Sequence, residues 1–271
     1  MNAQEIERAL ITRYRAKLYR PFIRAIQEYE LIQEGDCIGV CISGGKDSFL
    51  LAKLLQHLQK HSKFPFSVKY LVMNPGYTQE SLQLIKENAN KLGLDIIIKD
   101  SNIFEIAQKM SEKPCYLCAR MRRGFLYQFA KEQGCNKIAL GHHFDDVIET
   151  VLLNIFYSGR FKSMVPKLRS ENFEGMELIR PLVFVRERDI INFMKNCEIT
   201  ALSCGCIVEQ GKVDSKRREI KALIAKLREI DKNIEINIYK STENVNLDRL
   251  LGYKLNNKKH TFLELYNQIE E

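Results

Sequence analysis

No apolar run in this chain approaches the ~20 residues that a helix needs to cross a bilayer, so a membrane partner is not expected. The opening Met1-Asn2-Ala3-Gln4-Glu5-Ile6-Glu7 lacks the layout of a secretory leader, and a cytoplasmic location is the expectation that follows. There is no internal repeat and no long low-complexity tract. The cysteines lack the spacing of a disulfide framework: eight of them are scattered unevenly, as in a protein of a reducing compartment. A surplus of acid is absent too. Forty-two Lys and Arg against 34 Asp and Glu give a net charge of +8. That balance suits a polyanion such as RNA, or a basic surplus spread over the surface for solubility. Local clusters, Arg120, Arg122 and Arg123 near one cysteine pair and Lys216, Arg217 and Arg218 near another, favour the first reading.

What the chain does have is an ordinary globular composition, 45% hydrophobic and 28% charged, over 271 residues. That length accommodates an α/β domain with helical additions, or one large and one small domain. Its sharpest feature is Ser43-Gly44-Gly45-Lys46-Asp47-Ser48, directly behind the apolar run Cys37-Ile38-Gly39-Val40-Cys41-Ile42. A buried strand enters a glycine turn and a helix begins at once, which aims backbone N–H groups and a helix N-terminus at one spot. Two glycines let the backbone approach a phosphate, Ser43 and Ser48 add hydroxyl donors, and Asp47 is placed to hold a Mg²⁺ that bridges phosphate oxygens. The order of residues is not that of a Walker A loop.

Apolar positions Ile6, Leu10, Tyr14 and Leu18 predict a helix over residues 4–19, and Pro21 restarts a second one carrying Phe22, Ala25, Ile26 and Tyr29. These form an N-terminal helical arm, residues 1–34. Strands are then expected at 37–42, 67–74, 94–99 and 137–140, with helices at 47–61, 78–92, 118–133 and 144–158 between and after them. Such alternation means an α/β fold, a Rossmann-like parallel sheet with helices on both faces. A helix at 186–196 and a basic helix at 212–229 follow. From 231 the tail is polar and poorly periodic. The domain boundaries expected are 35–206 for the nucleotide-binding domain and 207–271 for a C-terminal helical and polar extension.

Two further elements fall where a parallel sheet binds ligands, beyond the carboxyl ends of its strands, or beside such an edge. Gly141-His142-His143-Phe144-Asp145-Asp146 follows a strand and opens a helix, so Asp145 and Asp146 stand in the first turn. Either carboxylate serves as a helix cap or takes part in Mg²⁺ binding or proton transfer, and the histidines face phosphate or the base being modified. The cysteine set is the other element. Cys115-x-x-Cys118 begins a helix, where thiol pKa is lowered, and Cys204 or Cys206 would supply a further ligand from far along the chain. Spacing alone leaves an iron–sulfur cluster, a zinc site and a redox pair open.

Taken in order, several blocks resemble the tRNA 2-thiocytidine synthetase family of PP-loop ATP pyrophosphatases. They are Ser43 to Ser48, Pro114 to Gly124, Ile138 to Asp146, Asn154 to Gly159, Pro166-Lys167-Leu168, Ile179 to Leu182 and Arg186 to Ile190. The resemblance covers about residues 15–206. It implies the adenine nucleotide hydrolase type of fold and an ATP-dependent tRNA sulfurtransferase. ATP, Mg²⁺ and a [4Fe–4S] cluster are the implied cofactors. An anticodon-loop cytidine would be adenylated at its C2 oxygen, and sulfur would replace that oxygen. The implied cofactor-binding residues are Ser43, Gly44, Gly45, Lys46, Asp47, Ser48, Gly141 and His142. The implied catalytic set is Asp47 and Asp145 with Cys115, Cys118 and Cys204, and those three cysteines are the implied cluster ligands. The partners implied are tRNA and a sulfur donor, such as a cysteine desulfurase or inorganic sulfide; the sequence leaves the oligomeric state open, a homodimer being one option. Cys204-Gly205-Cys206 departs from the family's usual C-x-x-C, so Cys206 competes for the third ligand position. Met73-Asn74-Pro75-Gly76 lacks the acidic residue often found in that turn. The alternatives are a related sulfurtransferase acting on another tRNA base or a small molecule, and a zinc-stapled RNA-binding protein without catalysis.

Overall fold

The structure, a computed structural model, describes residues 1–103, 106, 114–202 and 215–267. Its core is a six-stranded sheet in the order β3-β2-β1-β4-β6-β5. The strands are β1 (Cys37–Cys41), β2 (Ser67–Asn74), β3 (Ile96–Asp100), β4 (Lys137–Ala139), β5 (Lys167–Arg169) and β6 (Glu177–Ile179). Neighbours from β3 to β6 pair in parallel, and β5 closes one edge antiparallel to β6. The expected parallel sheet is therefore present, extended by two strands that the periodicity did not reveal. Each has three residues, too few for an alternating pattern to register.

β1 is central because its residues are apolar or small on both faces. Ile38 and Val40 are fully buried. Gly39 lies under Leu71, Ala130 and Cys135, where a Cβ would come within 2.8 Å of Leu71 Cδ1. On that face Cys41 packs in one cluster with Leu71, Tyr127, Phe129 and Ala130, contributed by β2 and by helix α5 (Pro114–Glu132). Helix α3 (Lys46–His61) packs on β1 and β2, and helix α4 (Gln79–Leu92) precedes β3.

The N-terminal segment is not one helix over 4–19. It breaks into α1 (Ala3–Ile11) and a π-turn at Arg15–Tyr19 that runs into α2 (Arg20–Glu28). Ile6, Leu10, Tyr14 and Leu18 are all buried, as their spacing demands. A repeat of four residues overshoots a 3.6-residue turn by about 40° per step, and the wider π-turn takes up that drift.

The chain folds as two compact units, Met1–Val147 with Met164–Ser215, and Ile148–Ser163 with Lys216–Glu271. The second unit holds α8 (Ser215–Ile230, from its second residue on), α9 (Ile234–Lys240) and a hairpin of β7 (Gly252–Leu255) and β8 (Lys258–Thr261). The tail is thus more ordered than its composition suggests. Asn256 and Asn257, with φ of 49° and 62°, make the left-handed two-residue turn that joins such strands.

Candidate active site

The sheet order changes direction at β1. The chain runs outward through β2 and β3, then returns to place β4 on the other side of β1. Loops leaving the carboxyl ends of β1 and β4 therefore stand side by side, where open α/β sheets bind ligands. The β1 loop is Ser43 to Ser48 and the β4 loop carries Gly141, His142 and His143.

The first loop turns through Gly44, whose φ of +81° is the left-handed region. A Cβ there would also lie 2.7 Å from Leu202 Cδ1 and 3.0 Å from Ile85. Leu202 N–H donates to the Gly44 carbonyl at 3.0 Å and Tyr77 OH donates to the Ser43 carbonyl at 3.3 Å, so the turn is held from outside. Ser48 Oγ donates to the Gly45 carbonyl at 2.8 Å and accepts from the Ser43 N–H at 3.2 Å. Gly45 is the N-cap of α3, and among the described residues no side chain caps that end. Its first-turn N–H groups are thus presented as an anion site.

Gly141 makes the second loop fit. A Cβ at this position would stand 2.9 Å from the Asp47 carbonyl carbon and 3.0 Å from the Ser48 nitrogen. Only hydrogen on Cα allows the two loops to touch. Helix α6 (Phe144–Ser158) then begins with a reciprocal cap. His143 N–H donates to Asp146 Oδ2 at 3.0 Å, and Asp146 N–H donates to His143 Nδ1 at 3.3 Å. This is a capping box with histidine in the usual place of serine or threonine. Because Nδ1 accepts, the proton of a neutral ring lies on Nε2, which is 3.8 Å from Asp47 Oδ1.

A third helix N-terminus joins these two. Helix α7 (Glu187–Asn196) starts with Glu187 N–H donating to Asp145 Oδ2 at 2.7 Å, while Arg186 lies 3.6 Å from Asp145 Oδ1. Asp145 is therefore engaged as a cap across two helices. Glu187 reaches back to Lys46 Nζ at 3.1 Å, and Lys46 also meets Asp47 Oδ2 at 3.1 Å. Burial works to lower the Lys46 pKa, but Asp47 and Glu187 outweigh it and hold the ammonium above its ordinary value. Asp47 moves the other way from an ordinary paired acid. Burial raises its pKa, and the pull of His143 and Lys46 only partly offsets this. Its Oδ1 is buried without a hydrogen bond. An orphaned carboxylate oxygen beside an uncapped helix N-terminus is the donor chemistry that a Mg²⁺ carrying a nucleotide phosphate fits.

Ser43 to Ser48, Gly141 and Asp145 are brought together, and His142 sits in the same loop. Cys115 and Cys118 lie three residues apart at the start of α5, so their Cα atoms share one helix face. Cys204 and Cys206 lie outside the described residues. Of the remaining cysteines, burial pushes Cys41 and Cys135 up to about 12 and Cys197 up to about 11, which makes them inert core thiols. Arg186 and Glu187 stand out in the sequence only as part of a family block, with no task attached. Their link to Lys46 and Asp145 depends on two helix starts meeting, which no local pattern reports.

Residues 14–202 match the PP-loop domain family. The tRNA-cytidine(32) 2-sulfurtransferase of Geotalea uraniireducens (strain Rf4) is 37% identical over 257 residues, 92% of this chain and 99% of that protein. The protein of the same name from Coxiella burnetii (strain CbuG_Q212) is 34% identical over 247 residues, 90% of this chain and 95% of its own. Among solved structures, the U34-tRNA thiolase NcsA from Methanococcus maripaludis with its [4Fe-4S] cluster shares the fold. Its TM-score is 0.66 and its identity 21%, over 83% of this chain and 76% of that one.

Proposed function

This chain belongs to the PP-loop family and, within it, to the tRNA-cytidine(32) 2-sulfurtransferases, and on that premise we propose that it replaces the C2 oxygen of cytidine 32 in tRNA with sulfur at the expense of ATP. The observation that carries the ATP half is the contact of two glycine loops over an uncapped helix N-terminus, with the buried Asp47 Oδ1 at its edge.

In this reading the first-turn N–H groups of α3, with Ser43 and Ser48, bind the nucleotide phosphates. The C2 oxygen of the cytidine attacks the α-phosphorus and pyrophosphate leaves; Asp47 would hold a Mg²⁺, which would supply charge neutralisation at the phosphates. Lys46, fixed between Asp47 and Glu187, holds its positive charge beside the phosphates. Sulfide then adds at C2 and AMP departs with the former oxygen. The acid and histidine pair His143–Asp146 fixes the second loop against Asp47. Cys115 and Cys118 on one helix face, with Cys204 from the later segment, are the thiolates that would hold an iron–sulfur cluster. When bound, that cluster supplies an open iron for the incoming sulfide, delivered by a cysteine desulfurase or as inorganic sulfide.

Anaerobic purification tests this directly. A brown protein with iron and acid-labile sulfide is expected, and the Cys115→Ala, Cys118→Ala and Cys204→Ala variants should each lose 2-thiocytidine formation while keeping ATP affinity. A colourless protein with stoichiometric zinc, or thiolation retained by all three variants, would overturn the cluster assignment.

A further inference from the structure

Away from the nucleotide loops, a cleft of about 710 Å³ opens between α5 and the β5–β6 connection. Arg120 and Arg123 stand on its helical wall and Arg169 on the opposite one, against a single acid, Glu171. The Arg169 side chain is 93% exposed and its nearest carboxylate neighbour, Glu177, is 3.9 Å away. Arg180 lies beside Tyr127 and Arg123. Its Nη1 donates to the Val165 carbonyl at 2.5 Å, while its Nε is buried and has no hydrogen-bond partner among the described residues. Burial pushes the Arg180 pKa down to about 10, with Tyr127 opposing the shift and Arg123 adding a smaller push. At the base of the cleft the buried Tyr127 ring stacks on the half-buried Phe173 at 5.1 Å and 11°.

We propose that this cleft grips the backbone phosphates of the unpaired anticodon-loop strand of the tRNA substrate. The inference rests on the tRNA reading above and names where on the chain the RNA is held. Guanidinium groups on both walls suit phosphate, bidentate and always charged. Phe173, half-buried at the cleft, leaves ring surface for a splayed base, which a loop offers and a duplex stem does not. A simple acidic peptide would use the arginines and leave Phe173 idle. Placement also fits the chemistry. Arg120 and Arg123 follow Cys118 by two and five residues on the same helix, so a strand held here lies along the element that carries both motif cysteines.

The test measures binding of an unmodified tRNA transcript at graded salt, for the wild type and for Arg123→Ala/Arg169→Ala, with melting temperature as the control for folding. The double variant should bind roughly tenfold more weakly at low salt, and the slope of log K against log salt should flatten by about 0.7 for each phosphate no longer neutralised. Arg169→Gln alone, at a fully exposed position, keeps the test sound if the double variant melts early, and should show the smaller share of both effects. Unchanged affinity and slope in these variants would overturn the proposal while leaving the tRNA reading intact. A wild type that binds no tRNA would overturn both. Normal tRNA binding with thiolation lost only when a cysteine desulfurase supplies the sulfur, and kept with inorganic sulfide, would overturn it in favour of a docking site for that protein.

Discussion

Asp47 carries two opposed demands. Its side chain is drawn into a buried position where one oxygen makes no hydrogen bond, and burial raises its pKa despite Lys46 and His143. A carboxyl whose folded pKa lies above its unfolded value costs stability when ionised. The cost is fully present above the folded pKa and fades as pH falls through it. Asp47→Asn should therefore raise the melting temperature of the nucleotide-free protein at pH 7 by a few degrees, and flatten its dependence on acid pH. The same change should abolish Mg²⁺-dependent ATP turnover, as expected when a strained functional carboxylate is removed. Thermal melts from pH 4 to 8 with a pyrophosphate-release assay check both. A variant that melts lower and turns over ATP normally would assign Asp47 to the fold alone. At this scale the nucleotide loop was legible because glycine and serine at fixed offsets report backbone geometry directly. The engagement of Asp145 was not. Its partner, the Glu187 N–H, comes from 42 residues away, and a first-turn acid reads the same whether it caps its own helix or another.

Among the elements, α1 shows how far patterning reaches. Its apolar face was readable from Ile6 and Leu10, and its start is fixed by a capping box between Asn2 and Glu5. What fastens it to α3 was not readable. Glu7 meets His57 Nδ1 at 2.7 Å and both Lys53 and Lys60 at 3.6 Å, and the Lys53 side chain is only 2% exposed. A lysine in an apolar helix reads as a surface residue, and nothing local reveals that this one is buried against a carboxylate. Burial opposes ionisation of Glu7, but the hydrogen bond from His57 and the two ammonium groups win and hold its pKa below the usual value. A depressed carboxyl contributes stability that is present above its unfolded pKa and lost as pH falls through the folded one. Glu7→Ala takes the carboxylate from the buried Lys53, which keeps only the neutral acceptors Gln56 Oε1 and the Leu92 carbonyl, and should cost about 3 kcal/mol at pH 7. Urea denaturation of the wild type and the variant at pH 7 and at pH 3.5 measures this. The difference should shrink at the lower pH, and an equal difference at both would show that Glu7 acts by packing instead.

Taken whole, the chain carries its basic surplus through both compact units. Within the second unit, Arg217 pairs with Glu149 at 2.8 Å and Arg228 with Glu235, so part of the basic helix is committed to internal pairs. A count of +8 could not distinguish those arginines from the ones that line the cleft beside Tyr127. The parallel sheet was legible as alternation of strand and helix, and with it the edge on which the ligand loops would fall, but not its strand order. The short strands β5 and β6 and the hairpin β7–β8 were not, being below the length at which periodicity speaks. The cysteine set lies beyond what the described residues reach, since Cys204 and Cys206 fall outside them. No helix among the described residues is long and apolar enough to cross a membrane.

The central claim is that one chain spends ATP to put sulfur on a tRNA cytidine. Mass spectrometry of tRNA nucleosides, from cells with the protein, without it, and complemented with wild type or Asp47→Asn, tests it most directly. The account predicts that 2-thiocytidine vanishes with the protein and returns with the wild-type chain alone. An unchanged 2-thiocytidine content in cells without the protein, or full restoration by Asp47→Asn, would contradict it.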